Sequence, residues 1–96
     1  MKVIWDEQKN LKLMTERGIS FEQFADLILE KKYKAILENP SRPNQMIFIC
    51  LYNNYTYVVP FTLDKESNIV LKTIFPSRKH TRKYLEQVAK RRGKKS

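Results

Sequence analysis

Residues 46–63 read MIFICLY-NN-YTYVVPFTL, two apolar runs rich in β-branched and aromatic side chains joined by paired asparagines. Asparagine tolerates the positive φ that both central positions of a tight two-residue turn require, so Met46–Tyr52 and Tyr55–Leu63 are predicted to form the arms of an antiparallel hairpin. Pro60 interrupts the second arm. Lacking an N–H for the ladder, it is expected to make that arm bend, bulge or lie partly at an edge. Upstream, Tyr33–Leu37 has strand character and stops at Asn39-Pro40-Ser41-Arg42-Pro43-Asn44, whose two prolines forbid a continuous ladder and predict a loop. Downstream, Asp64–Asn68 is a polar turn and Ile69–Phe75 reads as the last strand. The expected sheet is therefore antiparallel, with about four strands.

Helices are predicted on both sides of it. After a short apolar start at Val3–Trp5, Asp6 is a good N-cap for a helical stretch that reaches Arg17 and closes at Gly18. Its expected apolar stripe is Leu11 and Met14 with Leu13 beside them, leaving Glu7, Lys9, Lys12 and Glu16 to face water. Ser20 followed three residues later by Gln23 forms a capping box, Ile19 can staple onto Phe24, and Phe21, Phe24, Ala25 and Ile28 give the second helix its buried face. Pro76-Ser77 hands the chain over to a final basic helix whose apolar side is Tyr84, Leu85, Val88 and Ala89. The fold class is α+β: two N-terminal helices, an antiparallel sheet and a basic C-terminal helix, in one domain over residues 1–90 followed by a flexible basic tail at 91–96.

Charge is concentrated at that end. Ser77–Ser96 hold nine of the nineteen Lys and Arg residues against the single acid Glu86, so nearly all of the net charge of +9 lies there. Such a cluster focuses a field over a Debye length of about 8 Å at physiological salt, and polyphosphates are its commonest ligands. Nucleic acid is the first partner it suggests. The longest apolar runs fall far short of the roughly 20 residues a spanning helix needs, and Met1–Trp5 has no signal-peptide core, so a cytoplasmic protein without membrane contact is expected. Cys50 is the only cysteine and stands inside an apolar strand, where it reads as a small core residue. No metal-ligand spacing and no phosphate loop is present, and no cofactor is expected.

Three segments together carry a resemblance. Ile4-Trp5-Asp6 with Lys9 and Asn10, the join Arg17-Gly18-Ile19-Ser20-Phe21-Glu22, and Ile74-Phe75-Pro76-Ser77-Arg78-Lys79 resemble the BrnT family of bacterial toxins over nearly the whole chain. The resemblance implies a compact ribonuclease fold related to the RelE toxins. It implies a type II toxin that inhibits translation by cutting RNA, neutralised by a ribbon-helix-helix antitoxin and meeting operator DNA only through the antitoxin complex. The family's arginine matches Arg78 and a later basic position matches Arg82. Two positions depart from the family pattern. Asn44, Gln45 and Met46 stand where members often carry a basic residue, leaving Arg42 as the nearest cation, and Lys83 replaces a glutamate.

Metal-free RNA cleavage requires a deprotonated 2′-OH, stabilised charge on the phosphate and a protonated 5′ leaving oxygen. Arg78 suits the phosphate, since a guanidinium binds it bidentately. Arg82, four residues on, falls on the same helical face. His80 is the one side chain with an ordinary pKa near neutrality and is the candidate proton carrier. Lys72, Lys79, Lys83, Arg42 and Tyr84 are the candidate RNA-binding residues. Trp5 and the tyrosines at 52, 55 and 57 offer stacking surfaces, although core packing is the expectation for them. The competing readings are a non-catalytic nucleic-acid-binding module of the same fold and an adaptor whose basic face meets an acidic protein.

Overall fold

The computed structural model describes residues 2–79. Its elements are β1 (Val3–Ile4), α1 (Glu7–Arg17), α2 (Phe21–Leu29), β2 (Ala35–Glu38), β3 (Met46–Tyr52), β4 (Tyr55–Leu63), β5 (Ile69–Leu71) and β6 (Phe75–Pro76). The expected basic helix beyond Lys79, with His80, Arg82, Lys83 and Tyr84, and the tail at 91–96 lie outside the described residues.

Asn53 and Asn54 adopt φ of 52° and 61°, and the hairpin they close pairs in unbroken register from Tyr52↔Tyr55 to Met46↔Phe61. Among the described residues the sheet built on it has six strands in the order β1-β5-β4-β3-β2, with β6 pairing β4 beyond the end of β5. The expectation of about four antiparallel strands is corrected in two places. First, β1 adds a parallel edge, with Val3 opposite Ile69 and Ile4 opposite Val70. The Ile69 amide donates to the Lys2 carbonyl at 2.8 Å and the Lys2 amide to Asn68 Oδ1 at 3.0 Å. No local pattern announces a two-residue strand whose partners are distant in sequence.

Second, the last strand is split, and Pro60 is the cause. In a two-residue hairpin the pair flanking the turn exchanges both N–H···O bonds, and such pairs recur at every second position. Counting from Tyr52↔Tyr55, the Pro60 nitrogen points away from β3 and towards β5. The Lys72 amide donates to the Pro60 carbonyl at 2.9 Å, and Pro60 has no N–H with which to answer. The ladder lapses there. Phe61 pairs with Leu71 but Val58 pairs with Phe75, so Lys72, Thr73 and Ile74 stand opposite only Val59 and Pro60. The irregularity expected in the proline's own arm falls instead in its neighbour.

One face of the sheet carries the helices. Phe21, Phe24 and Ile28 of α2 pack with Phe48, Cys50, Val59, Phe61, Leu71 and Ile74 in one core. Burying side chains of this size contributes about 1.5–3 kcal/mol each. Phe48 stacks on Phe61 with ring centroids 4.2 Å apart, Phe24 lies 5.4 Å from Tyr52 and 5.3 Å from Tyr57, and Trp5 stacks on Phe21 at 5.8 Å. Those aromatic faces are engaged inside the fold. On the opposite face Ile47, Ile49 and Val58 form a smaller cluster with Ala35.

The helix join shows why α1 lies as it does. Asp6 Oδ1 accepts from the Gln8 amide at 2.8 Å, and Gly18 ends α1 in the left-handed region at φ 67°. The Ser20–Gln23 capping box is complete, with the Ser20 amide donating to Gln23 Oε1 at 3.1 Å and Ser20 Oγ accepting from the Gln23 amide. Such a cap is worth about 1 kcal/mol. The face α1 buries is not the Leu11–Met14 stripe, however. Leu11 and Met14 are 57% and 49% exposed, whereas Asn10 and Leu13 are buried. Asn10 Oδ1 accepts from the Phe21 amide at 2.8 Å, capping a first-turn N–H of α2, while its Nδ2 donates to the Glu7 and Glu22 carboxylates. A buried amide with both ends satisfied turns α1 about its axis more firmly than two exposed apolar side chains can.

Candidate functional site

The segment that carries the expected arginine is positioned by β4. Phe75 and Pro76 pair with Val58 and Tyr57, and the Ser77 amide then donates to the Thr56 carbonyl at 2.8 Å. The chain turns helical immediately afterwards, at residues 78–79. Arg78 and Lys79 are therefore delivered, exposed, from the end of a strand anchored at the centre of the sheet.

Beside them runs a groove of about 530 Å³ on the sheet face opposite α1 and α2. Ile47 and Val58 form its floor. Phe75, Ser77 and Lys79 make one wall, and the loop residues Asn39, Pro40 and Ser41, with Leu37 and Glu38, make the other. The loop is internally braced: Asn39 and Gln45 bond through backbone and side chain, Asn39 Oδ1 accepts from the Ser41 amide at 3.0 Å, and the Gln45 amide donates to the Arg42 carbonyl at 3.0 Å. Arg42 thus projects from a fixed turn that adjoins the groove wall. The loop and the Ser77–Lys79 corner flank one apolar-floored channel, with Lys79 on one wall and Glu38 on the other.

Lys72 belongs elsewhere. It is half-buried at the β5–β6 break and lines a separate cleft of about 470 Å³ with Lys9, Lys12, Leu13, Glu16, Arg17 and Thr73. Of the candidate residues described, Lys79 lines the groove, Arg78 precedes it in the chain, Arg42 follows the loop wall at Ser41, and Lys72 lines another cleft. Sequence reasoning missed the grouping of Lys9, Lys12 and Arg17. Its signal was the spacing of Lys9, Leu13 and Arg17 at four-residue intervals, which puts cations in line with the buried leucine.

Cys50 is fully buried in the core. Burial pushes its thiol up to about 12, so the nucleophilic thiolate is scarce at neutral pH. An alkylating reagent at about pH 8 is expected to label Cys50 only as the chain unfolds, at a rate that rises with urea. Labelling of native protein as fast as a free thiol would contradict that placement. Among the described residues no three His, Cys, Asp or Glu side chains come together as a metal site needs, and no helix is long and apolar enough to cross a membrane.

The arrangement of two helices on one face of a six-stranded mixed sheet has a counterpart among solved structures. The crystal structure of the Brucella abortus ribonuclease toxin BrnT superposes with a TM-score of 0.60, covering 80% of this chain and 96% of that one. The fold is that of BrnT. Sequence identity over the match is 23%, so the likeness to BrnT is one of architecture. No protein-family model and no curated protein matches the chain. The resemblance to BrnT in the Trp5-Asp6 start, the Gly18–Glu22 join and the Phe75–Arg78 corner falls on β1 and its exit, the helix join and the end of β6, each of which fixes a change of chain direction.

Proposed function

We propose that this chain is the toxin of a type II toxin–antitoxin pair, a metal-independent endoribonuclease that arrests translation and is neutralised by a ribbon-helix-helix antitoxin. The observation that carries the reading is a fold shared with almost the whole of a ribonuclease toxin, together with an exposed Arg78 at the strand-to-helix corner where the family resemblance puts its arginine. In this reading the RNA backbone crosses the corner beside the groove. Arg78 holds the scissile phosphate bidentately and stabilises the charge that grows on its oxygens. Arg82 reinforces it and His80 carries a proton between the 2′-OH and the 5′ leaving oxygen. Lys79 grips the strand from the groove wall and Arg42 from the loop beyond Ser41, with Lys83 and Tyr84 continuing the contact and Lys72 adding charge from its own surface.

The test is induction of the chain in a bacterial host that lacks the antitoxin, with growth and new RNA 5′ ends followed in the same cultures. Arrest accompanied by new ends is the expected result. Folded protein that binds RNA yet yields neither arrest nor ends would replace this reading with a non-catalytic binding module.

A further inference from the structure

We propose that the cleft between α1 and the β5–β6 break, where Lys9, Arg17 and Lys72 converge around Leu13, is a second binding surface for the phosphate backbone of single-stranded RNA. It extends the ribonuclease reading by assigning a substrate path away from the Arg78 corner, and it rests on that reading for the identity of the polymer.

Geometry and charge both favour it. Lys9 and Arg17 lie four residues to either side of Leu13, so they form a row along the helix about 12 Å long at 1.5 Å per residue, more than one phosphate group can occupy. Lys72 and Thr73 line the cleft together with the row. Among the described residues Glu16 is the single acid on the walls and lies 4.0 Å from Lys12, while Lys9, Arg17 and Lys72 have no ion-pair partner. Like charges facing one another across a cleft repel, and an anion between them relieves the repulsion.

The partner's class follows from what the walls lack. Protein interfaces draw their affinity from aromatic and apolar anchors at the centre. Among the described residues the one apolar side chain on these walls, Leu13, is buried in the core and offers no such anchor. A phosphodiester backbone needs only cations and hydrogen-bond donors, and the walls supply both. An acidic protein is the poorer fit.

The measurement is binding of a short 2′-O-methyl single-stranded RNA to the full chain over a series of salt concentrations, because such a strand lacks the hydroxyl that attacks and cannot be cut. Lys9→Gln/Arg17→Gln alters two exposed side chains outside the Arg78 corner, and unchanged circular dichroism confirms that it folds. Two lost phosphate contacts should weaken binding about tenfold and lower the slope of log K against log salt by about 1.4. Lys9→Arg/Arg17→Lys should retain both, and Glu16→Gln should tighten binding. Polyglutamate serves as the acidic-protein arm. An unchanged RNA affinity and slope in the Gln variant, or a loss confined to polyglutamate, overturns the inference. Failure of the ribonuclease reading looks different: wild type binds the strand with the stated dependence on Lys9 and Arg17, yet no RNA ends appear in induced cells.

Discussion

Arg78→Ala is expected to abolish growth arrest and to slow cleavage of an RNA substrate by roughly a hundred- to a thousandfold, the loss seen when one pre-positioned donor to a developing oxyanion is removed. The side chain is exposed at the end of a strand whose backbone is held by the Ser77–Thr56 bond, so its removal should leave thermal stability within about 0.5 kcal/mol of wild type. Arg78→Lys should recover only part of the activity. An ammonium keeps the charge but cannot present two parallel N–H bonds to one phosphate. Binding of an uncleavable strand should fall far less than turnover, since one phosphate contact among several is lost while the transition-state contact is lost entirely. Cleavage retained by Arg78→Ala would remove Arg78 from the chemistry. Graded losses of equal size at Arg78, Lys79 and Arg42, in binding alone, would mark a surface that holds RNA without cutting it.

The largest expected effect on stability lies at Asn10. Replacement by Asp keeps the oxygen that caps the Phe21 amide but turns the donor facing Glu7 and Glu22 into an acceptor. Three carboxylates then meet at a position with no solvent exposure, and a loss of about 3 kcal/mol or more is expected at neutral pH. The loss should depend on pH with a definite sign. Burial and the two neighbouring acids raise the folded-state pKa of the introduced carboxyl above its unfolded value, so its destabilisation is full above the folded pKa and shrinks as pH falls towards the unfolded pKa. Asn10→Leu keeps the branched shape with bulkier ends, strands the Phe21 N–H and takes one donor from each carboxylate, and should lose about 1–3 kcal/mol without that recovery on acidification. Urea unfolding of the three proteins at neutral and mildly acidic pH distinguishes them. Equal midpoints for wild type and Asn10→Asp at neutral pH would mean that the side chain does not tie the two helices together.

These residues also show what could be read from sequence. The hairpin, both N-caps and the Gly18 terminus were legible because each is fixed by a few neighbouring residues: two asparagines at positive φ, a serine three residues before a glutamine, a glycine where φ is 67°. The parallel strand β1 was not, because two residues carry no periodicity and their partner is at the other end of the domain. Nor was the rotation of α1. Hydrophobic spacing favoured Leu11 and Met14, and the deciding residue is the polar Asn10, whose partners lie in its own first turn and in the next helix. With the helix turned, Lys9 and Arg17 come round towards Lys72, a grouping visible only once α1 and the end of β5 are placed side by side.

Pro60 lines neither cleft and takes no part in the helix join, yet it governs the parity of the chain after Leu71. Along a strand successive side chains alternate between the two sides of the sheet, so one supernumerary residue reverses the assignment for the remainder of the chain. Had the Phe61↔Leu71 register continued unbroken, Ile74 would stand opposite Val58 and Phe75 opposite Tyr57, placing Phe75 among the helices and Ile74 on the far side. Because an imino acid cannot return the bond offered by Lys72, Ile74 is instead sealed in the core while Phe75 lines the groove next to Lys79. One absent hydrogen atom in the middle of the sheet thereby selects the side on which the arginine-bearing corner emerges.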